Sequence, residues 1–100
     1  MDFRIEHSGD GARVTLDGRL TFGENAAFRR VVEDLSDGTR AKVVFDLAGM
    51  DYIDSAGLGM LMVAREAVIE SGGRAIIANA HGQVGRMLEL ARFGDFFTMG

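Results

Sequence analysis

The stretch with the clearest chemical potential in this chain is Asp54-Ser55-Ala56-Gly57-Leu58-Gly59. It places a hydroxyl between a carboxylate and a run of small residues. The apolar segment Val43-Val44-Phe45-Asp46-Leu47 precedes it, and a long, mostly apolar stretch follows. An order of strand, turn and helix makes Asp54 or Ser55 a candidate N-cap, whose side-chain oxygen accepts from free N–H groups of the first turn. A hydroxyl at that position also lies where an added phosphate would find backbone donors and a favourable dipole. A plain cap and a modifiable hydroxyl are both open readings of this junction.

Other chemistry is poorly supplied. A nucleophile elbow needs Gly-x-Ser-x-Gly, and Ile53 occupies the first glycine position. His7 and His81 are isolated and lack the spaced acids of a metal site. Asp46, near a strand end, could be an aspartyl phosphoacceptor, but the early acidic pair and late lysine of a receiver domain are missing. A structural turn or cap suits it better. No P-loop with its lysine occurs. The expectation is a protein that is not an enzyme and carries neither metal nor cofactor.

With 100 residues there is material for one domain, residues 1–100, and one core. The absence of cysteine excludes disulfides and suits a reducing cytosol. No apolar run approaches the roughly 20 residues that span a bilayer. Met1-Asp2-Phe3-Arg4 also lacks the regions of a signal peptide. A cytoplasmic protein without direct membrane insertion is expected. A net charge of -4 and a pI of about 5.0 argue against nucleic acid as a partner.

The elements that must position Ser55 follow from periodicity. Phe3 and Ile5, then Val14 and Leu16, alternate with polar residues and predict two half-buried strands. Ser8-Gly9-Asp10-Gly11 between them predicts an antiparallel hairpin. Thr21 and Glu24 have capping-box spacing ahead of a helix from about Gly23 to Leu35, ended by Asp37-Gly38. Lys42 to Leu47 is a strand whose continuous apolar run suggests cover on both faces or a central place in the sheet. The motif helix runs from about Ser55 to Ser71. It is followed by a strand from Arg74 to Asn79, a helix from Gln83 to Arg92 stopped by Gly94, and a short edge strand at Phe96-Phe97. This alternation predicts an α/β domain with a mixed, mostly parallel sheet of four to five strands, right-handed crossovers and about three helices.

On a helical wheel Gly59, Met62 and Glu66 fall within about 40° of Ser55, with Leu58 and Ile69 on the shoulder. Gly57, Leu61, Ala64 and Val68 lie opposite, with Met60, Val63 and Ala67 adjacent, as a core stripe would. The outward set is apolar in its first two turns. Either another element covers Leu58 and Met62, or a partner does. Gly57 and Gly59 could admit a partner backbone near Ser55 or serve helix–sheet packing alone.

Asp54-Ser55-Ala56-Gly57-Leu58-Gly59 resembles the signature of the STAS domain, specifically the small bacterial anti-sigma factor antagonists. Gly18-Arg19-Leu20 resembles that family's Gly-Glu-Leu step, and Val84 to Phe97 its closing helix, turn and last strand. The resemblance implies that Ser55 is a phosphoacceptor. It implies that the unphosphorylated protein binds an anti-sigma factor that is also a serine kinase of the histidine-kinase-like ATPase type, and so releases a sigma factor. A serine phosphatase would reverse the modification, and ATP and magnesium would belong to the kinase. The implied partner surface comprises Asp54, Ser55, Ala56, Gly57, Leu58, Gly59, Met62 and Glu66, with Arg19 and Thr21 beside it. Arg19 and Thr21 depart from the pattern, standing where many relatives carry acids that face the kinase. Thr21 then reads as a helix cap. Ala56 replaces a second hydroxyl residue, leaving Ser55 the only local acceptor. The rival implied by the same resemblance is a STAS interaction module in a pathway without a sigma factor. Examples are an accessory subunit of a lipid-transport system, or a stressosome, secretion or motility switch.

Overall fold

Phe3 and Ile5 share one side of β1 (Asp2–Ser8), and Val14 and Leu16 share the same side of β2 (Gly11–Leu20). The two strands pair antiparallel, with Phe3 opposite Leu16 and Ile5 opposite Val14. Gly9, at φ +60°, takes the first central position of the two-residue turn, the conformation a type II′ hairpin assigns to glycine. A computed structural model describes residues 1–36 and 41–100. The expected stop at Asp37-Gly38 lies outside the described residues.

After β2 come a single 3-10 turn at Phe22–Glu24, α1 (Asn25–Ser36), β3 (Lys42–Ile53), α2 (Ser55–Glu70) and β4 (Arg74–Ala78). Then follow α3 (Gly82–Leu90), a second 3-10 turn at Phe93–Asp95 and β5 (Thr98–Met99). The five strands lie in the order β1-β2-β3-β4-β5, and every pairing after the first is parallel. The α/β architecture expected from the alternation is therefore present, with β3 central.

Burial shows which face of the sheet the helices occupy. Val14, Phe45 and Ile77 are aligned across three strands and fully buried, as are Val43 and Ala75 one step earlier. Their neighbours on the other face, Arg13, Val44 and Ile76 in one row and Thr15, Asp46 and Ala78 in the next, are half-buried or exposed. β3 is thus covered on one face only. Its apolar run, interrupted by Asp46, reflects its central place in the sheet.

The open face is organised by Asp46. Its Oδ2 accepts from Arg13 Nη2 at 2.7 Å, and its Oδ1 from Asn79 Nδ2 at 3.0 Å and Ala48 N at 3.1 Å. The Asn79 amide, the Ala48 N–H and the Arg13 guanidinium hold the Asp46 carboxyl below its ordinary value, against a partial burial that raises it. A folded pKa below the unfolded one adds stability above the unfolded value, near 3.9, and loses it as pH falls through that value towards the folded one. Asp46→Asn should therefore be less stable than the parent by roughly 1 kcal/mol near neutrality. Urea denaturation at descending pH should show this gap close in acid.

Several boundaries differ from expectation, each for a local reason. β3 continues past Leu47 to Ile53, because Gly49 to Ile53 pair with Asp17 to Leu20 across two irregular steps in register. The helix expected from Gly23 starts at Asn25, after the 3-10 turn. α3 ends at Leu90 rather than Arg92. Arg92 itself adopts the left-handed conformation, φ +58°, two positions before Gly94. The last strand is Thr98–Met99, not Phe96-Phe97. Phe97 turns into the core, stacked on Phe93 at 5.4 Å and edge-on to Phe45 at 6.1 Å.

Candidate functional site at the start of α2

Asp54 has an extended backbone, and its Oδ1 accepts from Gly57 N at 2.8 Å. Its carbonyl accepts from Leu58 N at 3.0 Å, the first turn of the helix. Asp54 is thus the N-cap and Ser55 the first helical residue, which separates the two roles that the sequence left open. The other carboxylate oxygen accepts from Phe22 N at 3.4 Å, and Asp54 N donates to Leu20 O at 3.3 Å. One residue therefore ties the exit of β2 to the entry of α2. Ser55 itself is exposed, and its hydroxyl makes no hydrogen bond among the described residues.

The two glycines have different reasons. A Cβ on Gly57 would lie 2.2 Å from Leu20 O and 2.7 Å from Ile53 Cγ1, so this position is closed by close packing of helix on sheet. A Cβ on Gly59 would meet nothing within 4 Å, and Gly59 is exposed. Only Gly59 leaves space for something outside the molecule.

The strand end before Asp54 is clamped from α3. Gln83 Oε1 accepts from Ile53 N at 2.9 Å, while Gln83 Nε2 donates to Ile53 O at 2.8 Å. Sequence reasoning did not single out Gln83. Its signal was a lone amide one place before Val84 on a helix that buries Val84 and Leu88. Gln83→Leu removes both partners of the Ile53 peptide groups. A loss of roughly 2–3 kcal/mol is expected in urea denaturation.

Around Ser55 the ends of β2 and β3 add a rim. Arg19 and Tyr52 are paired across these strands, with the guanidinium 4.8 Å from the ring centroid. Phe22 is 72% exposed beside the Asp54 carboxylate. Neither aromatic was expected at the site. Thr21 lies there too, but it does not form the expected capping box. Its side chain makes no cap hydrogen bond, its carbonyl accepts from Glu24 N, and the Glu24 carboxylate meets the Met1 amino group at 3.1 Å.

Leu58 and Met62 are half-buried and pack against the core, and Glu66 is exposed beside Arg65 at 3.2 Å. Val63 departs from its expected place beside the core stripe, being 56% exposed. It borders a groove of about 380 Å³ between α1 and α2, lined also by Ala56, Gly59, Met60, Phe28 and Val32. Accessible apolar surface next to Ser55 therefore comes from the α1 side as well as from Leu58 and Met62.

His81 Nε2 lies 2.8 Å from Ala48 O, and His7 lies 3.8 Å from Asp34 on α1. Among the described residues no group of three or more His, Cys, Asp or Glu side chains could hold a metal ion. Among the same residues no helix is long and apolar enough to cross a membrane.

A small α/β domain that presents a capped helix start, with an exposed serine, at the carboxyl ends of β2 and β3 is the class that fold and site define. The STAS domain family model matches residues 2–100, and the chain belongs to that family. A STAS-domain containing protein of Pseudomonas aeruginosa (strain UCBPP-PA14) is 33% identical over 94 residues, 92% of each chain. Among solved structures, an anti-sigma factor antagonist from Mycobacterium paratuberculosis superposes with a TM-score of 0.85 at 16% identity, covering 98% of this chain and 83% of that one. The anti-sigma factor antagonist SpoIIAA in its unphosphorylated form gives 0.75 at 19% identity over 99% and 87%. The phosphorylated form of this Bacillus protein gives 0.73 at 16% over 99% and 91%. At these identities the structural likeness establishes the fold.

Proposed function

We propose that this STAS domain is an anti-sigma factor antagonist that exchanges partners according to the phosphorylation of Ser55. Unphosphorylated, it binds and sequesters an anti-sigma factor that is also a serine kinase of the histidine-kinase-like ATPase type, and a sigma factor is freed to direct transcription. The kinase ends this state by phosphorylating Ser55 with its own ATP and magnesium, and a serine phosphatase restores it. The protein works in the cytoplasm, is no enzyme and needs no cofactor.

One observation carries this reading. The Ser55 hydroxyl is exposed at the first position of α2 and makes no hydrogen bond among the described residues, because Asp54 performs the cap. Phosphorylation adds about −1.5 to −2 charge units there. The helix start tolerates an anion, so the fold survives. A partner lying over Gly59, Val63, Leu58 and Met62 would have to desolvate that charge, next to the carboxylate of Asp54. The physics favours a switch in binding over a switch in folding. Incubation with the cognate kinase and Mg·ATP should add one phosphate, placed on Ser55 by mass spectrometry and absent in Ser55→Ala. A chain left unmodified at Ser55 by that kinase would end the proposal.

A further inference from the structure

We infer that the groove between α1 and α2 receives an amphipathic helix of the partner, apolar on the face it buries and acidic on its flank. The groove holds about 380 Å³, within the range of built binding clefts. Each of its walls is a complete helix face. Asn25, Phe28, Arg29 and Val32 line it from α1, and Ala56, Gly59, Met60 and Val63 from α2. Both sets fall at i, i+3, i+4 and i+7, the spacing of a stripe that packs on another helix. Here the two stripes do not close on each other. Gly59 is exposed, a Cβ on it would meet nothing within 4 Å, and Val63 is 56% exposed. Two stripes that share a gap leave room for a third, laid along it as a helix lies in a groove.

Charge selects the occupant. The chain carries a net charge of -4, yet neither Asp nor Glu lines the groove. Its charged member is Arg29, which is exposed and makes no ion pair among the described residues. A carboxylate on the flank of an incoming helix finds this guanidinium, whereas a lysine there meets a like charge. The groove also begins beside the proposed phosphoacceptor, because Ala56 directly follows Ser55. A phosphate on Ser55 would repel the same acidic flank that Arg29 attracts. The inference thus rests on the partner-exchange reading and adds to it the shape and the charge of the segment that docks.

Two synthetic helices test the groove without the kinase. Both are about 18 residues long, enough to hold a helix, and share one leucine face; one carries glutamate on its flanks and the other lysine. Each is titrated into the isotope-labelled full chain and followed by amide chemical shifts. The acidic helix should move the amides of Phe28, Val32, Gly59 and Val63, and bind about tenfold or more tightly than the basic one. The net charge of the chain favours the basic helix, so the opposite preference has to arise locally. Arg29→Glu should invert the preference. Gly59→Leu, which fills the groove, and Ser55→Asp should each weaken the acidic helix by about tenfold or more. Dispersed amide spectra of the free variants would show that they are folded, and the exposed Arg29→Glu keeps the test decisive should Gly59→Leu unfold. Shifts that miss these four amides, equal or tighter binding of the basic helix, or undiminished binding by the variants would each overturn the inference. So would concentration-dependent shifts at the groove in the parent alone, which would make a second copy the occupant. A kinase that leaves Ser55 unmodified would end the partner-exchange reading instead, and these titrations would still decide the groove.

Discussion

Ser55→Asp should lose more than a hundredfold in affinity for the kinase proposed as partner while remaining as stable as the parent. An anionic side chain at position 55 sits at the first helical residue, where the dipole favours it by about 0.3–1 kcal/mol. The melting temperature should therefore hold or rise slightly. A docked partner, by contrast, has to strip water from this charge beside Asp54. A cost of about 3 kcal/mol in binding is enough for the stated loss. Ser55→Ala, which adds no charge and removes no hydrogen bond among the described residues, should bind as the parent does. Isothermal titration of the three proteins against the kinase, with melting curves alongside, checks both halves. Equal affinity for the aspartate and alanine variants would remove the electrostatic basis of the switch.

The second large effect separates the two glycines of the motif. Gly57→Ala puts a methyl group 2.2 Å from Leu20 O, a backbone atom that also accepts from Asp54 N. Relief requires α2 to back away from the sheet, breaking that bond and loosening the Asp54 cap. A loss of about 3 kcal/mol or more is expected. Gly59→Ala meets open space and replaces a poor helix former, so it should stabilise by up to about 1 kcal/mol. Urea denaturation reads both. Binding by Gly59→Ala then carries separate information. A partner that approaches α2 closely at this point will resist the added methyl even though the protein itself is more stable.

Much of this molecule was legible before its structure. Strict alternation in β1 and β2, the apolar run of β3 and the helical spacing in α1 and α2 follow from periodicities of two and 3.6 residues, which depend on backbone geometry alone. The junction at Asp54-Ser55 was legible for the same reason, since capping is a local interaction. Where local rules failed, a distant residue had taken the group in question. The capping box at Thr21 did not form, and Glu24 instead meets the Met1 amino group. The closing strand moved past Phe97, because that ring fills the core against Phe45 and Phe93.

By itself, then, the chain determined the order of its elements and the single serine at a helix start, because both depend on neighbours in sequence. Tertiary structure alone decided that Asp54 rather than Ser55 caps α2. It also decided that Gly57 is closed by Leu20 while Gly59 is open, that Gln83 pins Ile53, and that Val63 faces outward with Phe22 and Tyr52. Each of these depends on which of several chemically competent atoms comes within a few ångströms, and that is settled by the packing of segments some thirty residues apart.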